Sequence, residues 1–263
     1  MRRAVDEAPH EPARVHSEAD PPSALVRGWA VAVLGILAAK LLSLVEPTGL
    51  LAANLAGVAA VLFVTVPDRR LRSRGEGWER YGLPWEGLRD PATLRAWGRG
   101  ALWALGVCAV VFPLFAAGFW AFSRALPALP PGLAHALAPY GAPSGFALRA
   151  PEGLWWRIPV QLLVVALPEE LFYRGWMQTS WARAAPGQGV TVLGARLGRG
   201  FLATQALFAL GHLVVLQPWR LATFFPALLF GWLRERTGSV AAPVLVHAAS
   251  NLFLATLEAS FYG

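Results

Sequence analysis

Seven runs of apolar residues, most of them near the length that crosses a bilayer, dictate what this chain can fold into. They lie near residues 29–45, 50–66, 101–122, from 154 onward, and near 201–216, 221–233 and 240–261. A helix needs about 20 such residues to cross a hydrocarbon core of about 30 Å. Within lipid, a helix satisfies its backbone polar groups inside one segment. The expected fold is therefore an all-α, polytopic transmembrane helix bundle of about seven spans, within bounds of six to eight. The runs 201–216 and 221–233 are short for a straight crossing, so tilt or partial re-entry is expected there.

Composition agrees. Apolar residues make up 56% of the 263 and charged residues 15%, and the mean hydropathy is +0.46, outside the range of soluble domains. The net charge of +7 raises the question of nucleic acid, but its placement answers against it. The densest basic run, Arg69-Arg70-Leu71-Arg72-Ser73-Arg74, directly follows an apolar run. Such a juxtamembrane cluster sets topology and meets anionic headgroups. No nucleic-acid partner is expected; the bilayer is.

Arginine placement also orients the chain. Residues 68–99 hold eight Arg, and Arg174, Arg183, Arg196, Arg199, Arg234 and Arg236 follow later runs, whereas the link between the first two runs has no Lys or Arg. The positive-inside rule then places the N-terminus in the cytoplasm and the C-terminus outside. The only lysine is Lys40, which points to a GC-rich bacterial genome and so to a bacterial inner (cytoplasmic) membrane. Residues 1–26 are polar and Pro-rich and lack a secretory h-region; they read as a disordered cytoplasmic tail. Residues 27–153 form an N-terminal group of helices, interrupted by a basic amphipathic cytoplasmic stretch at 68–99. A Pro/Gly-rich outer loop is expected at 123–152. The single cysteine, Cys108, excludes a disulfide within the chain and reads as a small residue in an apolar run.

The residues that carry chemistry lie in the last part, 154–263. Glu169 and Glu170 end an apolar run that begins at Leu162, and ionised groups at such depth are expensive. On a helix Glu170 and Arg174 share a face, in the favourable order for a pair. Glu169 points elsewhere and is free to act as a general base. His212 lies in a second run. His247 and Asn251 share a face of a third, where two hydrogen-bond donors could meet one oxyanion. Taken singly, each has a bland alternative: a helix end meeting water, a satisfied core histidine, a polar contact between helices. Together they describe a buried hydrolytic site.

Three motifs appear in order: Glu169-Glu170-x-x-x-Arg174, Phe208-x-x-x-His212 and His247-x-x-x-Asn251. In this combination the chain resembles the CPBP family of intramembrane glutamic proteases, which includes Rce1-type CAAX endopeptidases and the Abi bacteriocin-processing or self-immunity proteins. The resemblance covers roughly residues 154–261 and breaks no motif position. It implies a helical core with a conical intramembrane cavity and an endopeptidase that uses no metal and no cofactor. It implies that Glu169, with His212, activates water, and that His247 and Asn251 stabilise the tetrahedral oxyanion. Glu170 and Arg174 would support the site, and Phe208 would pack beside it. The implied partner is a membrane-anchored protein or peptide substrate. Removal of a C-terminal sorting tail, as by the myxosortase relatives, is one such reaction.

Other classes remain in view. A zinc-dependent membrane protease could use the same Glu and His, although His-Glu-x-x-His is missing. His10-Glu11 lies in the tail, followed by Pro12. A serine protease lacks its motif: Ser250 stands beside no Gly-x-Ser, and Gly141-Ala142-Pro143-Ser144 reads as a turn. No Asp lies within a span, against an aspartyl protease. A non-catalytic membrane scaffold or immunity protein would use the polar cluster for assembly. A transporter could relay protons through it, but no internal repeat is visible.

Overall fold

The computed structural model describes residues 20–87, 89–137, 145–187 and 189–263. Residues 1–19 of the expected tail and the expected turn at 141–144 lie outside them. The chain is nearly all helix: α1 (Pro22–Leu42), α2 (Leu50–Ala53), α3 (Leu55–Arg72), α4 (Pro91–Ala125), α5 (Pro131–Leu137), α6 (Leu154–Pro159), α7 (Leu167–Glu170), α8 (Thr179–Ala184), α9 (Arg199–Gly211), α10 (Phe224–Thr237) and α11 (Ala241–Tyr262). Wider, π-helical turns, Val160–Ala166 and Leu171–Gln178, join α6, α7 and α8 into one helical run.

Among the described residues, three helices are long and apolar enough to cross a membrane: Pro22–Leu42, Ala241–Tyr262 and the continuous Pro91–Ala128. The expected third span is thus longer than its apolar run. Asp90 caps it by accepting from the N–H of Ala92 at 2.7 Å, and Pro91 supplies the preset first turn. At 35 residues, α4 extends about 52 Å, well beyond the hydrocarbon core. Only 6% of the apolar window of Pro91–Ala128 is buried, against 39% for α11. Accordingly α4 is a peripheral helix and α11 an interior one. The two pack closely at Gly100, where an added Cβ would stand 2.8 Å from Cβ of Ala241.

Two expectations are corrected. The fold is not purely helical: Val190–Val192 and Ala195–Leu197 form an antiparallel hairpin between α8 and α9, with Val192 opposite Ala195. Its turn, Leu193-Gly194, takes positive φ at both residues, the geometry of a two-residue hairpin. Secondly, the end of the segment read as a disordered tail is folded against the helices: α1 starts at Pro22 and Asp20 is buried beside it. Asp20 accepts from Nε1 of Trp176 at 3.1 Å and pairs with Arg74 at 2.7 Å and Arg70 at 3.2 Å. Two arginines of the juxtamembrane cluster therefore face a buried carboxylate. Arg72 pairs with Asp68 at 2.6 Å.

The main core gathers Leu25, Ala32 and Ile36 of α1 and Phe63 and Leu71 of α3 around Phe172, Tyr173, Trp176 and Met177. The N-terminal helices thus form a wall against the second π-helical segment. Replacing Asp20 by Ala is expected to lower stability by about 1–3 kcal/mol, the cost of leaving buried polar partners unmatched. Thermal unfolding in detergent checks this, and an unchanged Tm would mean that Asp20 does not anchor α1.

Candidate active site

The site is built on the helical run from Leu154 to Ala184. Pro159 and Pro168 lack the N–H that an α-helix would use and crowd the preceding carbonyl, and wide turns accommodate such breaks. All eight residues of Leu171–Gln178 are buried. An ordinary surface helix buries one stripe, so this segment is enclosed on every side.

Within that enclosure the charges are arranged around one atom. Oε1 of Glu170 accepts from NH1 of Arg174 at 3.0 Å and from Nδ1 of His247 at 2.8 Å. Both Glu170 and Arg174 are 0% exposed. The expected i, i+4 pair is therefore formed, and α11 is tied to it. Arg174 also donates from NH2 to the carbonyl of Ala227 at 3.2 Å. Since an ionised carboxylate only accepts, Nδ1 of His247 carries a proton, which leaves Nε2 as the nitrogen facing Glu169. Nε2 lies 4.0 Å from Oε2 of Glu169. That oxygen has no hydrogen-bond partner among the described residues. Oε2 of Glu170 is likewise unpartnered, so the two adjacent carboxylates differ at Oε1: that of Glu170 is held by Arg174 and His247, whereas Glu169, 15% exposed, accepts no hydrogen bond among the described residues.

Phe208 organises the other side. The guanidinium of Arg174 sits 4.3 Å over its ring, a cation–π contact. Its ring also lies 4.5 Å from that of His212 and 6.1 Å, edge-on, from that of His247. His212 is therefore brought to the level of His247, although it stands near the end of its apolar run. Here α9 gives way to the 3-10 turn His212–Val215, and helix ends leave carbonyls unpaired. Nδ1 of His212 donates to one of them, that of Phe208, at 2.9 Å. This fixes the ring and leaves Nε2 to act. The preceding Gly211 is needed for fit: a Cβ there would come within 2.7 Å of the Tyr173 hydroxyl.

Asn251 stands one turn beyond His247 on α11. Its amide donates to Oε1 of Gln161 at 2.8 Å. The seven sequence-predicted residues thus assemble in two groups: Glu169, Glu170, Arg174, Phe208, His212 and His247 around the shared carboxylate, and Asn251 beside Gln161.

Several neighbours escaped the sequence reading. Phe230 stacks on His247 at 4.9 Å with an interplanar angle of 18°. Trp29 of α1 donates to the carbonyl of Leu207 at 3.0 Å, which holds α9 from outside. An aromatic in an apolar run carries no positional signal of its own. Gln161 did carry one, as a lone amide between Val160 and Leu162, where an unpaired polar group is costly.

Replacing Arg174 by Ala strands the Glu170 carboxylate, and breaking a buried pair typically costs about 3–5 kcal/mol. A lower Tm in detergent is expected, with partial recovery when Glu170→Gln is added. No recovery would show that the charge of Glu170 is not what Arg174 balances.

No match was found among curated proteins or among solved structures. Residues 151–253 match the family described as type II CAAX prenyl endopeptidase Rce1-like. The matched region contains all three motifs and Gln161, and it begins after the helices that wall the site. That family, by its description, is one of endopeptidases, and the apolar helices fit a membrane protein. Over residues 151–253 the chain is thus similar to the Rce1-like CAAX endopeptidases, the family that its three motifs resemble.

Proposed function

We propose that the chain is an intramembrane glutamic endopeptidase of a bacterial inner membrane, with its N-terminus in the cytoplasm. The observation that carries the reading is the contrast between the two carboxylates. Glu170 is held through Oε1 by both Arg174 and His247, while the adjacent Glu169 accepts no hydrogen bond among the described residues; Oε2 of each is unpartnered.

Glu169 takes the proton of a water molecule, and Nε2 of His212 orients that water. A separation of 4.0 Å between Glu169 and His247 is a distance that one water bridges. As the water attacks the scissile carbonyl, negative charge grows on its oxygen. His247, held at Nδ1 by Glu170, meets that charge from the Nε2 edge of its ring. Asn251 meets it with the amide proton not used by Gln161. Preorganised donors of this kind are a large source of rate. Glu169 then returns the proton to the departing nitrogen, which leaves a carboxyl and an amine terminus.

The substrate in this reading is a membrane-associated protein or peptide, a C-terminal sorting tail being one such case. It reaches the site through a conical cavity within a bundle of about seven crossings. Support comes from the helices that coincide with most of each expected run and from the apolar shell around the site. Catalysis proceeds without metal.

Glu169→Gln in the chromosome is expected to abolish processing while the protein persists in the membrane. Comparing membrane-protein termini with the native strain reads this directly, since precursors accumulate. Unchanged termini at normal protein level would overturn the protease reading. His247→Ala and Asn251→Ala are each expected to slow processing on the order of 10²–10³-fold; less than threefold for both would remove the oxyanion roles. Cleavage in isolated membranes should continue after chelator treatment. Loss restored by added zinc would instead establish a zinc enzyme.

A further inference from the structure

We propose that Gln161 is a positioning residue of the active site, acting through Asn251; this rests on the oxyanion role given to Asn251 above. Nothing in the three motifs includes Gln161. It lies eight positions before Glu169, about 80° round a regular α-helix from it. Between them the chain is π-helical over Val160–Ala166, and the wider turn re-aims side chains along the run. α11 packs along this segment, through Val244 and Ala248 against Ala166. The rewound turn brings the Gln161 amide oxygen to 2.8 Å from the Asn251 nitrogen.

The contact matters because an amide has two faces. Asn251 serves an oxyanion only when its NH2 group, not its oxygen, points into the site. An NH2 group has two protons. Gln161 accepts one, and the planar amide then holds the second at a fixed angle. Without an acceptor at 161, Asn251 rotates freely or presents its oxygen, which repels the developing charge. Misplacement of a positioning group by small distances lowers rate on the order of 10–10²-fold. The π-helical turn thus has a role in the site: it delivers an acceptor to Asn251 from the same helical run that delivers Glu169.

The test is a double-mutant cycle read as pulse-chase processing of the precursor that accumulates with Glu169→Gln, in membranes containing the full chain. Gln161→Leu should slow processing on the order of 10–10²-fold and add nothing in an Asn251→Ala background, because its effect passes through Asn251. Gln161→Glu, which can only accept, should retain most of the native rate, and this sets the acceptor role apart from packing. If Gln161→Leu reaches the membrane at reduced level, Gln161→Glu and Gln161→Lys decide: native rate for the acceptor and loss for the donor support the proposal. A Gln161→Leu effect that multiplies onto Asn251→Ala, or equal rates for the Glu and Lys variants, overturns it while leaving the protease reading intact. If Asn251→Ala itself processes at the native rate, or Glu169→Gln accumulates nothing, the oxyanion reading falls and this proposal with it.

Discussion

One carboxylate oxygen, Oε1 of Glu170, ties together the polar groups of two packed helical segments. It receives Arg174 from its own helix and His247 from α11. A lone ionised carboxylate at 0% exposure would be untenable; a guanidinium and an imidazole N–H make it tolerable. In return, the carboxylate fixes the tautomer of His247 and leaves its Nε2 facing Glu169. That exchange also sets the two adjacent glutamates apart. Glu170 ties the helices together through Oε1, and Glu169 accepts no hydrogen bond among the described residues.

Around this centre the aromatic residues do what additional charges could not. Phe208 covers the guanidinium and lies against both histidine rings, and Phe230 stacks on His247. They exclude water from the Arg174–Glu170 pair, which strengthens it in the low-dielectric interior. The N-terminal helices complete the enclosure. Asp20 holds Trp176, two residues beyond Arg174, and Trp29 holds the carbonyl of Leu207, next to Phe208. The helices that precede residues 151–253 thus bear on the Leu154–Ala184 run at Trp176 and on α9 at Leu207.

Much of this was legible in the sequence, for definite reasons. Charge inside an apolar run is costly, so Glu169, Glu170 and Arg174 stood out, and the i, i+4 rule placed Glu170 with Arg174. The same spacing put His247 and Asn251 on one face. What was not legible depends on departures from regular helices. The π-helical turns alter which residues share a face, so the link from Gln161 to Asn251 could not be read from α-helical spacing. The hairpin at residues 190–197 is short, and its strands carry too few residues for an alternating pattern to emerge. Asp20 looked like one more acidic residue of a polar tail, because its partners, Arg70, Arg74 and Trp176, are distant in sequence.

The central claim is that Glu170 holds the Nδ1 proton of His247. Nitrogen-15 NMR of histidine-labelled protein in lipid nanodiscs tests it most directly, with a His247 variant assigning its signal among the five histidines. The account requires a protonated Nδ1 on His247 in the native protein and a changed signal in Glu170→Gln. A bare Nδ1 in the native protein would contradict it, since His247 would then be neither fixed by Glu170 nor turned to present Nε2 toward Glu169.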